Sequence, residues 1–141
     1  MSEGEGGNAM ISFSFHEREA PDDSLVTGVM IIPFVGNQCL MADVRHRPGY
    51  EFPAGHSEPD ESPEQTASRE LMEETGARAE SLHRFGHALA HNDGKLFRTY
   101  PFTDSPLVVF AAVCQRDGVG EDLQHESSGV LLCSPAGIRR R

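Results

Sequence analysis

The chain has 141 residues, enough for one domain that buries about two-thirds of the surface its unfolded form exposes. Its 22 acidic and 12 basic residues give a formal net charge of -10, and this charge repels the phosphates of duplex nucleic acid. No apolar run of the sequence approaches the roughly 20 residues that span a bilayer, so composition argues against both duplex nucleic acid and membranes as partners.

The cysteines and the N-terminus indicate the compartment and the start of the domain. Cys39, Cys114 and Cys133 are odd in number and show no CxxC spacing, so neither a disulfide framework nor a zinc site is predicted. A cytoplasmic location is the expectation. Residues 1–10 are acidic and Gly-rich, unlike a signal peptide, and we expect a disordered leader there, followed by a single domain over residues 11–141.

The first half of the domain is predicted to consist of strands joined by turns. Ile11–Phe15 alternates apolar and polar residues like an edge strand, and Val26–Val35 is apolar nearly throughout, like a strand covered on both faces. A Gly-Asn turn at residues 36 and 37 leads to the expected hairpin partner, Gln38–Arg45, and a short extended piece follows at Tyr50–Phe52.

One helix is indicated, at Pro63–Thr75. Ser62-Pro63-Glu64-Gln65 combines a capping-box pattern with a proline at the first helical position, where its missing N–H costs nothing. Alanine, leucine, methionine and glutamate occupy much of the segment, and Gly76 can adopt the left-handed conformation that ends a helix. Leu71, with Ala67 one turn earlier, is expected to turn inward and anchor the helix on the sheet.

The second half of the domain is predicted to be strands again. Ala79–Ala90 and Leu96–Tyr100 look like a hairpin with its turn at residues 92–94, and Leu107–Gln115 is the most apolar strand. A polar loop then leads to a last strand at Gly129–Cys133. Mixed strands around a central helix predict an α/β or α+β sandwich.

Three carboxylates occupy one face of the predicted helix. Glu70, Glu73 and Glu74 are spaced i, i+3, i+4 and therefore lie within a single turn. Like charges this close repel one another unless hard divalent cations bridge their oxygens. A solvated acidic face is the alternative interpretation of such a cluster taken alone.

The residues around these carboxylates decide between the two interpretations. The pattern GX5EX7REUXEEXGU, called the Nudix box, is matched at its charged and glycine positions by Gly55, Glu61, Arg69, Glu70, Glu73, Glu74 and Gly76. The chain therefore resembles the Nudix hydrolase family, whose fold is a mixed sheet packed between helices. Two positions depart from the family pattern, since Ala77 replaces a bulky aliphatic residue and Ala54 stands where glycine is usual.

The resemblance implies a site for Mg²⁺ or Mn²⁺. The implied ligands are a loop carbonyl at Gly55 and the carboxylates of Glu70, Glu73 and Glu74, with Glu61 in a direct or a supporting role. Gly55 is expected to let the backbone turn tightly, so that a carbonyl can face the metal cluster without a Cβ in the way. Arg69 is expected to hold Glu73 by a charge-assisted contact. Glu70, Glu73 or the loop residue Glu126 would accept the proton from attacking water.

Substrate contacts are expected on the strand that precedes the box. Arg45 and Arg47 are candidates for gripping a terminal phosphate, with surface arginines at a strand end as the alternative. Phe52 is a candidate for stacking on a nucleobase, with a position in the core as the alternative.

Two stretches outside the helix, Gly49–Gly55 and His125–Pro135, are similar to the YtkD-like antimutator branch of the family. That branch hydrolyses 8-oxo-dGTP and other nucleoside triphosphates to monophosphate and pyrophosphate, which is the implied reaction. ADP-ribose, dinucleoside polyphosphates and 5′-capped RNA are alternative substrates, because the box handles only diphosphate and metal. A non-catalytic nucleotide-sensing module is the rival class, and the complete set of box carboxylates argues against it.

The segment after the last strand departs from the family pattern. Nudix domains usually continue with a helix that packs on the sheet, whereas only Ala136–Arg141 follow Pro135 here. The final helix is thus expected to be missing or truncated, which leaves an apolar sheet face that favours association. We expect a homodimer with loose base selectivity, or else a monomer in which Phe13–Pro21 covers this face.

Overall fold

The computed structural model describes residues 11–16, 22–44, 49–92, 104–124 and 127–134. A 3-10 turn at Asp23–Leu25 precedes β2. The other elements of these ranges are β1 (Ile11–His16), β2 (Gly28–Val35), β3 (Gln38–Val44), β4 (Tyr50–Glu51), β5 (Ala54–His56), α1 (Pro63–Thr75), β6 (Ala79–Asn92), β7 (Asp104–Cys114) and β8 (Ser127–Cys133). None of the helices in this part of the chain is long and apolar enough to cross a membrane.

The strands form one mixed sheet of eight. Its order is β1-β6-β7-β2-β3-β4, with β5 paired to β2 and β8 paired to β3. Strands β2 and β7 run parallel, from the pair of Gly28 with Leu107 to the pair of Phe34 with Val113, while the other paired strands are antiparallel. The predicted mixed α+β architecture, with a loop and a helix after β5, is confirmed.

Helix α1 has its predicted bounds because local bonds fix both of its ends. The hydroxyl of Ser62 accepts from the N–H of Gln65 at 3.1 Å, and the Gln65 side chain accepts from the N–H of Ser62 at 2.9 Å. This is the predicted capping box. Gly76 ends the helix at φ 78°, and its N–H donates to the carbonyl of Met72 at 2.8 Å.

The strand bounds differ from prediction where pairing between distant residues decides them. Strand β2 starts at Gly28 rather than Val26, at the point where it meets β5 and β7. Strand β6 continues to Asn92, because β1 pairs with its last residues. The predicted hairpin partner Leu96–Tyr100 lies outside the described residues, and β6 pairs with β7 and β1. The expected leader and the segment from residue 135 onward also lie outside them.

The main core lies between α1 and one face of the sheet. Alternate residues of β2 and β7 face the helix, as the two-residue period of a strand requires, and Ile31 and Phe110 are fully buried there. Leu71 and Ala67 are also fully buried, so these two residues anchor α1 as expected. Burial of one leucine side chain contributes about 1.5–3 kcal/mol. Ala77 lies in the same cluster, so its departure from the box affects packing.

The loop between β7 and β8 covers the last turn of α1. The N–H of Gln124 donates to the carbonyl of Glu73 at 2.8 Å, and the hydroxyl of Ser127 donates to the carbonyl of Glu74 at 2.6 Å. These bonds satisfy carbonyls that the end of a helix leaves without partners. They also fix the helical turn that carries the carboxylates of Glu73 and Glu74.

Candidate active site

Strand β5 brings the backbone of Gly55 against the carboxyl group of Glu70. A Cβ added to Gly55 would overlap that carboxyl carbon and would lie 2.6 Å from the Cγ of Glu70, closer than real Cβ atoms come. Gly55 lies in a strand and its φ is outside the positive region. The expected tight turn at this glycine is therefore wrong, whereas the expected need for a position without a Cβ agrees with the close approach of the Glu70 carboxyl group.

Arg69 connects the carboxylates to the loop. Its Nε donates to Oε2 of Glu61 at 2.6 Å and its Nη2 donates to Oε1 at 3.0 Å, which makes a bidentate pair. Its Nη1 donates to Glu70 at 2.9 Å and to Glu73 at 3.3 Å, and Nη2 donates to the carbonyl of His56 at 2.9 Å. The expected contact with Glu73 is present, but the shortest bond of Arg69 goes to Glu61.

Glu61 is fixed by three donors. The hydrogen bond from Arg69 is the largest cause that lowers the pKa of Glu61 to about 2, helped by the N–H of Glu58 and the hydroxyl of Thr66. That hydroxyl donates to Oε1 of Glu61 at 2.9 Å, and Thr66 is fully buried. Sequence reasoning missed Thr66, although its place one turn before Glu70 was a usable signal. Glu61 is therefore placed to hold Arg69.

Glu70, which is buried, and Glu74, which is partly buried, form a pair of acidic groups in contact. The pKa of Glu74 is raised to about 8, first by burial and then by the charge of Glu70 and a hydrogen bond with it. A hydrogen bond with the backbone of Ala54 acts in the opposite direction. Burial also raises the pKa of Glu70, against the attraction of the Arg69 guanidinium. At neutral pH, and away from any cation, the two carboxyl groups therefore retain a proton between them.

This pair has the chemistry of a divalent-cation site. The pKa values of both carboxyl groups stay raised although the Arg69 guanidinium lies 2.9 Å from Glu70, so ionising both groups needs further positive charge. Carboxylate oxygens are the ligands that Mg²⁺ takes. Across the described ranges, no three His, Cys, Asp or Glu side chains already converge as a complete metal shell. The residues present fit a cation held by Glu70 and Glu74, and the larger set of ligands stays a prediction.

The structure brings most of the predicted site residues together and leaves others untested. Six of them form one cluster that is connected through Arg69 and Glu70: Gly55, Glu61, Arg69, Glu70, Glu73 and Glu74. Phe52 is partly buried, directly between β4 and β5. Arg45, Arg47 and Glu126 lie outside the described residues.

An open cleft of about 820 Å³ lies beside this cluster. It is formed by the 3-10 turn with the two residues that precede β2, by the loop at residues 56–61 and by Pro106. This volume is typical of a ligand pocket. Among the predicted site residues that the structure describes, only Glu61 lines it, so the cleft is not assigned to the reaction.

The family of the chain follows from comparison with known domains. The NUDIX domain model matches residues 24–138, and the chain therefore belongs to the Nudix family. Together with the fold, this match defines the chain as a Nudix domain.

One curated relative shares part of the sequence. The chain is 47% identical over 58 residues to the Bacillus subtilis (strain 168) protein named "Putative 8-oxo-dGTP diphosphatase YtkD". The matched stretch is 41% of this chain and 36% of that protein. The chain thus spans little more than a third of the relative that it matches.

Two solved structures show the same fold. The Bacillus subtilis pyrophosphohydrolase BsRppH superposes with a TM-score of 0.70 and 26% identity, covering 85% of this chain and 70% of that one. The NUDIX domain of Shewanella oneidensis NrtR, solved with ADP ribose, has a TM-score of 0.64 and 19% identity, covering 82% and 76%. The names of these proteins differ in substrate, so the fold leaves the substrate of this chain open.

Proposed function

We propose that the protein is a Mg²⁺-dependent pyrophosphohydrolase that cleaves a nucleoside triphosphate such as 8-oxo-dGTP to the monophosphate and pyrophosphate. The observation that carries the metal-dependent reaction is the pair of Glu70 and Glu74, in contact with each other beside Gly55 and Arg69. The similarity to YtkD over 58 residues supports the substrate class. Mn²⁺ is a suitable substitute, because it takes the same oxygen ligands.

Different residues of the chain would bind the cation and position its ligands. A bound cation would neutralise charge on the diphosphate and acidify a water molecule. Glu70, Glu73 and Glu74 would hold it, and Arg69 keeps Glu70 and Glu73 in place through bonds of 2.9 and 3.3 Å. Contact with Glu61 raises the pKa of Arg69, so the guanidinium keeps its charge throughout the physiological range.

The proton acceptor and the substrate contacts complete the proposal. Glu70, Glu73 or Glu126 accepts the proton of the attacking water. Arg45 and Arg47 bind the terminal phosphate as paired charges. Phe52, which is partly buried, presents part of its ring for stacking on the base.

A second candidate substrate is ADP-ribose or a dinucleoside polyphosphate. ADP-ribose is included because the NrtR domain, which has the same fold, was solved with ADP ribose. A non-catalytic nucleotide-sensing module is the remaining rival. The complete carboxylate set of the box, of which Arg69 holds Glu61, Glu70 and Glu73, argues against that rival.

A substrate panel with Mg²⁺ separates these candidates. The panel contains 8-oxo-dGTP, the four ordinary deoxynucleoside triphosphates, ADP-ribose and a diadenosine polyphosphate, with products identified by ion chromatography. We expect 8-oxo-dGTP and other triphosphates to be the fastest substrates. Cleavage of ADP-ribose far faster than any triphosphate would select the second candidate, and no turnover of any compound would select the sensing module.

Compartment and assembly are separate proposals. The three cysteines are free thiols, which supports a reducing cytoplasm. A homodimer is supported by large apolar side chains at the sheet surface. Phe15 and Phe85 are 49% and 45% exposed and stack edge to face with ring centroids 5.7 Å apart, and Val113 is 45% exposed.

A further inference from the structure

Gly28, the first residue of β2, packs directly against the backbone of β5. In the sheet it pairs with His56, and its neighbour Val29 pairs with Gly55. A Cβ added to Gly28 would lie 2.6 Å from the carbonyl oxygen of Gly55 and 3.1 Å from Cδ2 of Leu107. The φ of Gly28 is outside the positive region, so the fold needs its missing side chain rather than its conformational freedom.

The backbone that Gly28 contacts is also held from the side of α1. The carboxyl group of Glu70 occupies the space where a Cβ of Gly55 would be. The carbonyl of His56 accepts from Nη2 of Arg69 at 2.9 Å. These two peptide groups therefore lie between β2 and polar side chains of the helix. Because protein interiors are close-packed, a shift of the Gly55 carbonyl passes to the groups on its other side.

We propose that Gly28 is a positioning residue for the metal-binding cluster, because its missing side chain sets the place of the β5 backbone and so of Glu70 and Arg69. The inference rests on the proposed metal-dependent function. An alanine at residue 28 would have to move the Gly55 oxygen from 2.6 Å to at least 3.0 Å from its Cβ. That shift is comparable to the tolerance of about 0.5 Å within which functional side chains must be held.

The test compares two strand glycines. Gly28→Ala adds the methyl group that meets the Gly55 carbonyl, whereas Gly129→Ala adds one in β8 at a position with nothing within 4 Å. Mn²⁺ affinity of the full chain, without substrate, is measured by electron paramagnetic resonance at a temperature where circular dichroism shows each variant folded. We expect Gly28→Ala to bind Mn²⁺ about tenfold more weakly, as for other changes that displace ligands indirectly, and Gly129→Ala to stay within twofold of wild type.

A double variant separates the two contacts of the added methyl group. Leu107→Val removes the Cδ2 atom that lies 3.1 Å from the new Cβ and leaves the contact with Gly55 unchanged. The double variant Gly28→Ala/Leu107→Val should therefore remain about tenfold weaker than Leu107→Val alone. It also replaces the single variant in the titration if Gly28→Ala does not fold, because it carries less steric overlap.

Three outcomes would overturn the inference. Wild-type Mn²⁺ affinity in folded Gly28→Ala would show that the β5 backbone accommodates the methyl group without displacing the metal-binding side chains. Recovery of affinity in the double variant would assign the effect to Leu107. A wild-type protein that binds no Mn²⁺ and cleaves no nucleotide would remove the proposed function together with the inference, whereas the first two outcomes leave that function intact.

Discussion

Replacing Glu74 by glutamine should remove an unusual dependence of stability on pH. In the metal-free protein the pKa of Glu74 is raised from its ordinary 4.5 to about 8, mainly by burial. Between these two values the folded state binds more protons than the unfolded state. The free energy of unfolding therefore falls as pH rises through this window, and the contribution is fully present only below the lower value.

The size of the effect follows from the shift. One bound proton per molecule corresponds to a slope of up to about 1.4 kcal/mol per pH unit, and 1 kcal/mol moves the Tm of a domain this size by about 4 °C. In EDTA the wild-type Tm should therefore fall by up to about 6 °C per pH unit between about pH 5.5 and 7.5. Glu61, with its pKa lowered to about 2, loses its contribution only at lower pH and does not mask this slope.

The assay is thermal unfolding at stepped pH, in EDTA and in excess Mg²⁺. Glu74→Gln should show a flatter curve in EDTA and a higher Tm than wild type at pH 7.5, because an amide cannot ionise. Glu80→Gln, a change at an exposed residue of β6, serves as the control and should follow wild type. Excess Mg²⁺ should raise the wild-type Tm most at the alkaline end. Parallel curves for wild type and Glu74→Gln in EDTA would refute the reasoning.

Two further predictions concern turnover and assembly. Glu73→Gln keeps the shape of the side chain but removes its charge, so turnover at saturating Mg²⁺ should fall by about 100-fold. The control variant Glu80→Gln should keep a turnover near that of wild type. Near wild-type turnover of Glu73→Gln would refute its role as a ligand. The protein should behave as a dimer in light scattering at micromolar concentration, and it should cleave the four ordinary triphosphates at similar rates. A clean monomer mass at every concentration would refute the dimer, and strict discrimination among the bases would refute the loose selectivity.

The sequence predicts well those features that neighbouring residues determine. The bounds of α1 depend on Ser62 and Gln65 at one end and on Gly76 at the other, all within or beside the helix. The one-face spacing of the carboxylates likewise follows from helical periodicity. The box pattern predicts the cluster around Arg69, and the structure brings these residues into contact.

The remaining features depend on contacts between segments that are distant in the chain. A residue without a side chain is required at Gly28 only because β5 pairs with β2. The hydroxyl of Ser127 donates to the carbonyl of Glu74, which is 53 residues away in the sequence, and no local sequence pattern predicts this contact. The full length of β6 is likewise set by its pairing with β1. Such contacts depend on register, which one sequence by itself specifies poorly.

The most direct test of the central claim is to identify which bond of 8-oxo-dGTP the wild-type protein breaks and whether a cation is needed. Reactions run in Mg²⁺ and in EDTA are followed by phosphorus NMR. The account predicts monophosphate and pyrophosphate in equal amounts with Mg²⁺ and no turnover in EDTA. Undiminished turnover in EDTA, or orthophosphate as the sole inorganic product, would contradict it.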